Sequence, residues 1–462
     1  MDMNFRKSSV VVTLLLAVAG CKSMQSHKEA AEAKPVAIPL APLEKPADPF
    51  FANFYPAPAP KPAHLVLKKG DRLAIIGDSI TEQKMYSRIM ETYLTVCAPE
   101  LGVSVRQFGW GGETATGFLA RMTNDCLRFN PTIVTTCYGM NDHRYRPYED
   151  AIGDLYRDKQ MDIVESFKSH NVAVVLGSPG PVSVGERTGN ANIKTNSQAL
   201  NLNLCTLRNI DVQIANVEQV GFADVFWPML VAGRTAQNKY GQGYSIAGAD
   251  GIHPGWAGHL VMAAAFLEGL GLDGEIGNLE IDLANASGKA SPGHVFIKGS
   301  NGKFQFLSTR YPFYIPADNE RTNTTLASGA TLIPFQERFN RFTLKVKNPQ
   351  AARYQIVWGN GTNIYSSAQL TRGINLAEEF KVNPFVDHFK KVDAAVAAKQ
   401  AFETTQIKTE FHKADFKKHE EEVVAKTEIQ RAGLVDAIHK AFVPVTHTFE
   451  ITAVRDIAPV AK

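Results

Sequence analysis

At 462 residues the chain exceeds what one ordinary hydrophobic core organises, so two or more domains are expected. Its 44% hydrophobic and 21% charged residues are those of a soluble globular protein, and a net charge of +3 is too small for this length to point to nucleic acid. The cysteines show no Cys-x-x-Cys pair and no Cys/His cluster at zinc spacing, so neither a metal site nor a cofactor is expected.

In chain order, Arg6 and Lys7 precede Val10–Val18, a mostly apolar run too short to span a bilayer. Val18-Ala19-Gly20-Cys21 then resembles the lipobox of bacterial lipoproteins. That resemblance implies a signal peptide over 1–20, cleavage before Cys21 and lipid on its thiol. The protein would then be extracytoplasmic and tied to a membrane by that anchor. Lys22, where an aspartate would favour inner-membrane retention, leans toward the outer membrane or cell surface. Residues 21–62 are rich in Ala, Pro and Lys, and are expected to form an extended tether.

From 63 to 275 apolar runs and helical periods alternate. Strands are expected at Leu73–Ile76, Val103–Phe108, Ile133–Cys137, Val172–Leu176 and Ala223–Phe226. Helices are expected at Lys84–Val96, Thr114–Phe129, Tyr148–His170, Asn196–Val217 and Gly255–Leu270. Such alternation predicts an α/β domain: a parallel sheet with helices on both faces. Over 276–376 short alternating runs with turn signals such as Gly359-Asn360-Gly361 predict a small antiparallel β-domain. Over 377–462 the chain reads as amphipathic helices, with Phe389, Val392 and Val396 at helical spacing, and a last strand over Thr446–Val454.

Leu73–Glu82 reads LAIIGDSITE, an apolar strand ending abruptly at Gly77. Ser79 therefore falls in the turn that leaves the carboxyl end of the first strand, where open α/β sheets place their ligands. A serine there can be a helix cap or a nucleophile. As nucleophile it needs a base, and the base needs an orienting acceptor. Asp250-Gly251-Ile252-His253-Pro254 supplies both in one Gly/Pro-bounded loop: His253 as base, Asp250 at its Nδ1. Asn141, directly after the third strand, carries an amide that can donate to an oxyanion.

Gly77-Asp78-Ser79-Ile80 resembles the first block of the SGNH (GDSL-type) hydrolases. Gly109, Gly139-Met140-Asn141-Asp142 and Asp250-x-x-His253 resemble the second, third and fifth blocks, in family order. The resemblance covers roughly Leu65–Leu272 and implies a three-layer, flavodoxin-like ester hydrolase domain. It assigns a Ser79–His253–Asp250 triad and an oxyanion hole of the Ser79 and Gly109 N–H groups with the Asn141 amide. One departure is Gln107, which stands where the family's asparagine precedes the glycine by two residues.

Trp110 offers a flat face to a sugar, and His143, Arg144 and Arg146 offer charge to an acidic one. With no long apolar lid evident, the substrate expected is a short-chain, acetyl-type ester on a glycan. A lipolytic or aryl-ester hydrolase, and a non-catalytic envelope or glycan-binding protein, are the alternatives. Cys97, Cys126, Cys137 and Cys205 allow three full pairings, and sequence leaves open whether they pair or stay free.

Overall fold

Strand β1, Arg72–Gly77, sits inside a five-stranded parallel sheet. Its companions are β2, Ser104–Gln107; β3, Ile133–Cys137; β4, Ala173–Gly177; and β5, Gly221–Ala223, in the order β2-β1-β3-β4-β5. The computed structural model describes residues 43, 45–185 and 189–454. The expected leader and the anchor at Cys21 lie outside the described residues. Side chains of β1 alternate between two cores: Leu73 and Ile75 face one, Ala74 and Ile76 the other. Burial on both faces is why this strand is a continuous apolar run.

The helices are α1, Ser79–Glu82; α2, Tyr86–Val96; α3, Ala115–Asp125; α4, Asp150–Ser169; α5, Ser197–Glu218; α6, Phe226–Tyr240; and α7, Trp256–Gly269. Helix α7 is apolar nearly all round because it is enclosed by α2, α6 and β5. Helix α6 occupies a stretch expected to begin as strand. The fifth strand ends at Ala223, and Pro228 sits in the first turn of α6, where its missing N–H costs nothing.

The second half builds two sheets from β6, Glu275–Asp282; β7, Ser287–Ala290; β8, His294–Ser300; β9, Lys303–Ser308; β10, Arg341–Lys347; β11, Arg353–Trp358; β12, Gly361–Ser366; β13, Ile374–Asn375; and β14, Val445–Ala453. Their orders are β13-β10-β6-β7 and β12-β11-β14-β9-β8. All pairings are antiparallel except β6 with β10, so the wholly antiparallel expectation is corrected there. Strand β14, from the chain's end, lies between β11 and β9. The core of these sheets is continuous with that beneath α2 and α7.

Two long helices, Val386–Thr405 and Glu420–Ala441, pack on each other and on β2. Strand β2 is the sheet's edge, and its free side is covered by side chains. The Val105 carbonyl accepts from Lys399 and Arg431, and the Gln107 N–H donates to Glu403 at 3.2 Å. An edge closed in this way cannot pair with another strand. Within the expected tether, Asp48 caps the turn Pro49–Phe51 and pairs with Arg234 at 2.7 Å. Phe51 and Phe54 are buried, Phe51 against Trp227. This part of 21–62 therefore belongs to the folded body. The four cysteines that sequence left open are buried and free. No described helix is long and apolar enough to cross a membrane.

Candidate active site

The site gathers at the carboxyl ends of β1 and β3 and in the loop before α7. Gly77 ends β1 with its Cα so close to Thr81 and the Cys137 carbonyl that a Cβ would lie 2.1 Å from the Thr81 hydroxyl. Asp78 caps α1 by accepting the Ile80 N–H at 2.9 Å, and Ser79 is the first helical residue. Burial pushes the Asp78 carboxyl up to about 7, with Asp142 and Glu113 adding to the rise. The Ser79 N–H carries no hydrogen bond among the described residues.

The Ser79 hydroxyl lies 2.7 Å from His253 Nε2, and His253 Nδ1 lies 2.6 Å from Asp250 Oδ2. The other Asp250 oxygen accepts the Ile252 and His253 N–H groups, both at 2.9 Å. Burial works to raise this carboxyl, but the hydrogen bonds from the His253 ring and those two N–H groups outweigh it and hold it below the usual range. A carboxylate at Nδ1 keeps the ring proton there and leaves Nε2 to accept the serine proton. Gly248, at φ 83°, lets the loop close: a Cβ there would meet the His253 carbonyl at 1.8 Å.

A relay of neutral groups supports the loop from below. The Tyr86 N–H donates to His259 Nδ1 at 3.3 Å, so His259 Nε2–H donates to Gln83 Oε1 at 3.1 Å. Gln83 Nε2 in turn donates to the Pro254 carbonyl at 3.3 Å. Burial, then the nearby His253, pushes the His259 ring down to about 3, which keeps it uncharged. Neither Gln83 nor His259 sits in a motif; only the fold brings them under His253.

Asn141 projects from the loop after β3, and its Nδ2 donates to the Glu113 carbonyl at 2.9 Å, leaving one N–H unspent. Asp142 holds that loop to α3 by accepting the Gly139 and Ala115 N–H groups, each at 3.0 Å. Gly109 differs from expectation. Its single N–H donates to Gln107 Oε1 at 2.9 Å, so it is not free to meet an oxyanion. The glutamine side chain is one methylene longer than asparagine, and here it folds back onto the Gly109 N–H.

Of the two expected substrate contacts, His143 differs from expectation. His143 is fully buried, with Nδ1 on the Met140 carbonyl and its ring 4.6 Å from that of Tyr145. It faces the protein interior, not a substrate. Burial pushes it down to about 4. Trp110 is half-buried among Arg121, Lys408 and His412, at 5.1, 5.2 and 4.8 Å from its ring. With His412 and Thr114 it lines a cavity of about 420 Å³. Among the described residues no group of three or more His, Cys, Asp or Glu is arranged to hold a metal.

Residues 75–261 match the model of the GDSL-like Lipase/Acylhydrolase family. Among solved structures, a gut microbial diltiazem-metabolizing enzyme is 22% identical, over 86% of this chain and 99% of its own, with a TM-score of 0.68. That likeness shows a shared fold over most of this chain. An acetylxylan esterase from Geobacillus stearothermophilus (22% identity, 45% of this chain, 97% of its own, TM-score 0.37) and a putative GDSL-like lipase from Parabacteroides merdae (18%, 45%, 99%, 0.38) also match. No curated protein matches this chain.

Proposed function

We propose that this protein is an ester hydrolase working by two-step acyl transfer through Ser79 and removing short acyl groups from a carbohydrate, a reading supported by the match of residues 75–261 to the GDSL-like Lipase/Acylhydrolase family model. The observation that carries this reading is the unbroken relay from Asp250 through His253 to the Ser79 hydroxyl. His253 Nε2 takes the serine proton as Oγ attacks the ester carbonyl. The imidazolium that forms is stabilised by the Asp250 carboxylate. The oxyanion is met by the Ser79 N–H and the unspent N–H of Asn141. His253 returns its proton to the leaving alcohol. It then deprotonates a water that hydrolyses the acyl-enzyme and frees Ser79.

An acyl group on a bulky, soluble alcohol suits this site. The His253 and Asp250 side chains are 37% and 41% exposed, so the ester is met at the surface, not at the end of a tunnel. The half-buried Trp110, which follows Gly109 and lines a cavity with Thr114 and His412, is the aromatic face offered to the carbohydrate. Cys21, after Val18-Ala19-Gly20, is the proposed site of lipid attachment, holding the enzyme at a bacterial membrane outside the cytoplasm. Incorporation of labelled fatty acid that is lost in Cys21→Ser tests that part.

The reaction is tested with full-length protein and its Ser79→Ala variant on acetyl and long-chain nitrophenyl esters, then on an acetylated polysaccharide. Acetyl release by the wild type alone supports the reading. A preference for long chains would replace it with a lipolytic one. Equal rates for both proteins would remove Ser79 as nucleophile.

A further inference from the structure

The loop after β3 holds two consecutive non-glycine residues, Arg144 and Tyr145, in left-handed backbone, at φ 53° and 52°. Bulky residues adopt that conformation only where their surroundings over-determine it, and such strain gathers at functional sites. Here the Tyr145 ring packs on the buried His143 ring, and Thr195 Oγ1 donates to the Tyr145 carbonyl at 3.1 Å. The outcome is a phenol aimed at the site: Tyr145 Oη donates to Asn141 Oδ1 at 3.1 Å.

The Glu113 carbonyl, which can only accept, sets the orientation of a group with two chemically opposite ends, and the Tyr145 phenol braces the oxygen end. A carboxamide has one oxygen and two N–H donors. Tyr145 holds the oxygen and the Glu113 carbonyl takes one N–H, so the direction of the second N–H is fixed. A flipped amide would set its oxygen against the Glu113 carbonyl, a repulsion that no proton can bridge. We propose that Tyr145 is a positioning residue for ester hydrolysis, holding the Asn141 amide so that its second N–H meets the oxyanion formed at Ser79. The inference rests on the serine-esterase reading above. Burial first, then the nearby Asp78 and Asp250 carboxylates, push the phenol up to about 12, so it stays a donor through neutral pH.

The test is a double-mutant cycle in the full-length protein with nitrophenyl acetate: wild type, Tyr145→Phe, Asn141→Ala and the double variant, with Ser79→Ala alongside. Tyr145→Phe removes one oxygen and keeps the ring on His143, so the fold and melting temperature should be retained. Losing a whole oxyanion donor costs ~10²–10³ in kcat, so losing its alignment should cost about tenfold, with KM nearly unchanged. In the Asn141→Ala background Tyr145→Phe should cost nothing further. An unchanged kcat in Tyr145→Phe would overturn the inference, as would the same loss in both backgrounds. Full activity in Ser79→Ala would instead overturn the serine-esterase reading, and the inference with it, through a variant that leaves Tyr145 untouched.

Discussion

Gln107 takes the Gly109 N–H on its side-chain oxygen at 2.9 Å, while its nitrogen donates to Thr404 at 2.6 Å, 297 residues along the chain. The glycine is therefore needed for its missing side chain, not for its N–H. A Cβ at Gly109 would lie 2.2 Å from the Glu82 nitrogen and 2.5 Å from the Thr81 carbonyl carbon, all backbone that cannot yield. Gly109→Ala should lower the melting temperature and activity together. Asn141→Ala should cost ~10²–10³ in kcat with the melting temperature unchanged. Thermal melts beside steady-state kinetics separate the two, and a Gly109→Ala protein of normal stability would contradict the argument.

Asp250 fixes which nitrogen of His253 carries the proton. In Asp250→Asn the amide can present its N–H to Nδ1, which then accepts, moving the ring proton to Nε2 where Ser79 needs a base. The loop's bonds to the Ile252 and His253 N–H groups can persist through the amide oxygen. The expected result is a kcat lower by about 10⁴ at neutral pH with little change in stability. A loss below about tenfold would show that Asp250 does not set the tautomer.

The candidate triad is legible in the sequence because it is carried by short-range patterns: an apolar strand closed by Gly77-Asp78-Ser79, and Asp250 three residues before His253 in a loop. The parallel sheet followed from runs such as Ile133–Cys137, which burial on both faces makes continuously apolar. What escaped is set by long-range or three-dimensional relations. Gln107 meets Gln400 and Thr404 only because a distant helix covers the sheet edge. Phe50, Phe51 and Phe54 have no period, so nothing in an Ala/Pro-rich stretch announced that they dock beside Trp227. His143 looked like a loop cation because its neighbours Arg144 and Arg146 are charged, yet the left-handed turn at Arg144 and Tyr145 sends it inward.

A chain of neutral groups crosses the two C-terminal sheets, and its protons run one way. Trp358 Nε1–H donates to His447 Nδ1 at 3.1 Å, so His447 Nε2–H donates to Ser308 at 2.9 Å. The Ser308 O–H then serves His294 Nδ1 at 2.7 Å, and His294 Nε2–H the Ile276 carbonyl at 3.0 Å. Burial pushes both rings down, His447 to about 3 and His294 to about 4, from an ordinary 6.5. The unfolded chain thus takes up protons first as pH falls. Stability should be full above about pH 6.5 and decline down to about pH 3. Urea midpoints across that range test this. A His294→Gln/His447→Gln protein, which can keep these bonds without titrating there, should show a flatter decline. An equally steep one would place the acid sensitivity elsewhere.

Lys399 is 1% exposed and sits between two buried carboxylates, 2.7 Å from Glu403 and 3.0 Å from Glu91. It also donates to the Val105 carbonyl on the sheet edge at 2.7 Å. The two acids are not equally dependent on it. Glu403 keeps Arg431 at 2.7 Å, whereas Glu91 would retain only the Gln400 amide at 2.7 Å. Burial already raises the Glu91 carboxyl, and Glu403 adds to the rise, with Lys399 the main opposing influence. Lys399→Met fills the space but strands a buried charge, which costs about 3–5 kcal/mol. Glu91 would then fold most readily protonated. A group whose folded pKa is raised lends stability that is present at low pH and lost as pH rises through that pKa. The loss in Lys399→Met should therefore be larger near pH 8 than near pH 5, and Glu91→Gln added to it should recover much of the deficit at pH 8. Urea unfolding of the single and double variants at the two pH values checks both signs, and a pH-independent deficit would mean that packing, not the stranded Glu91, causes it.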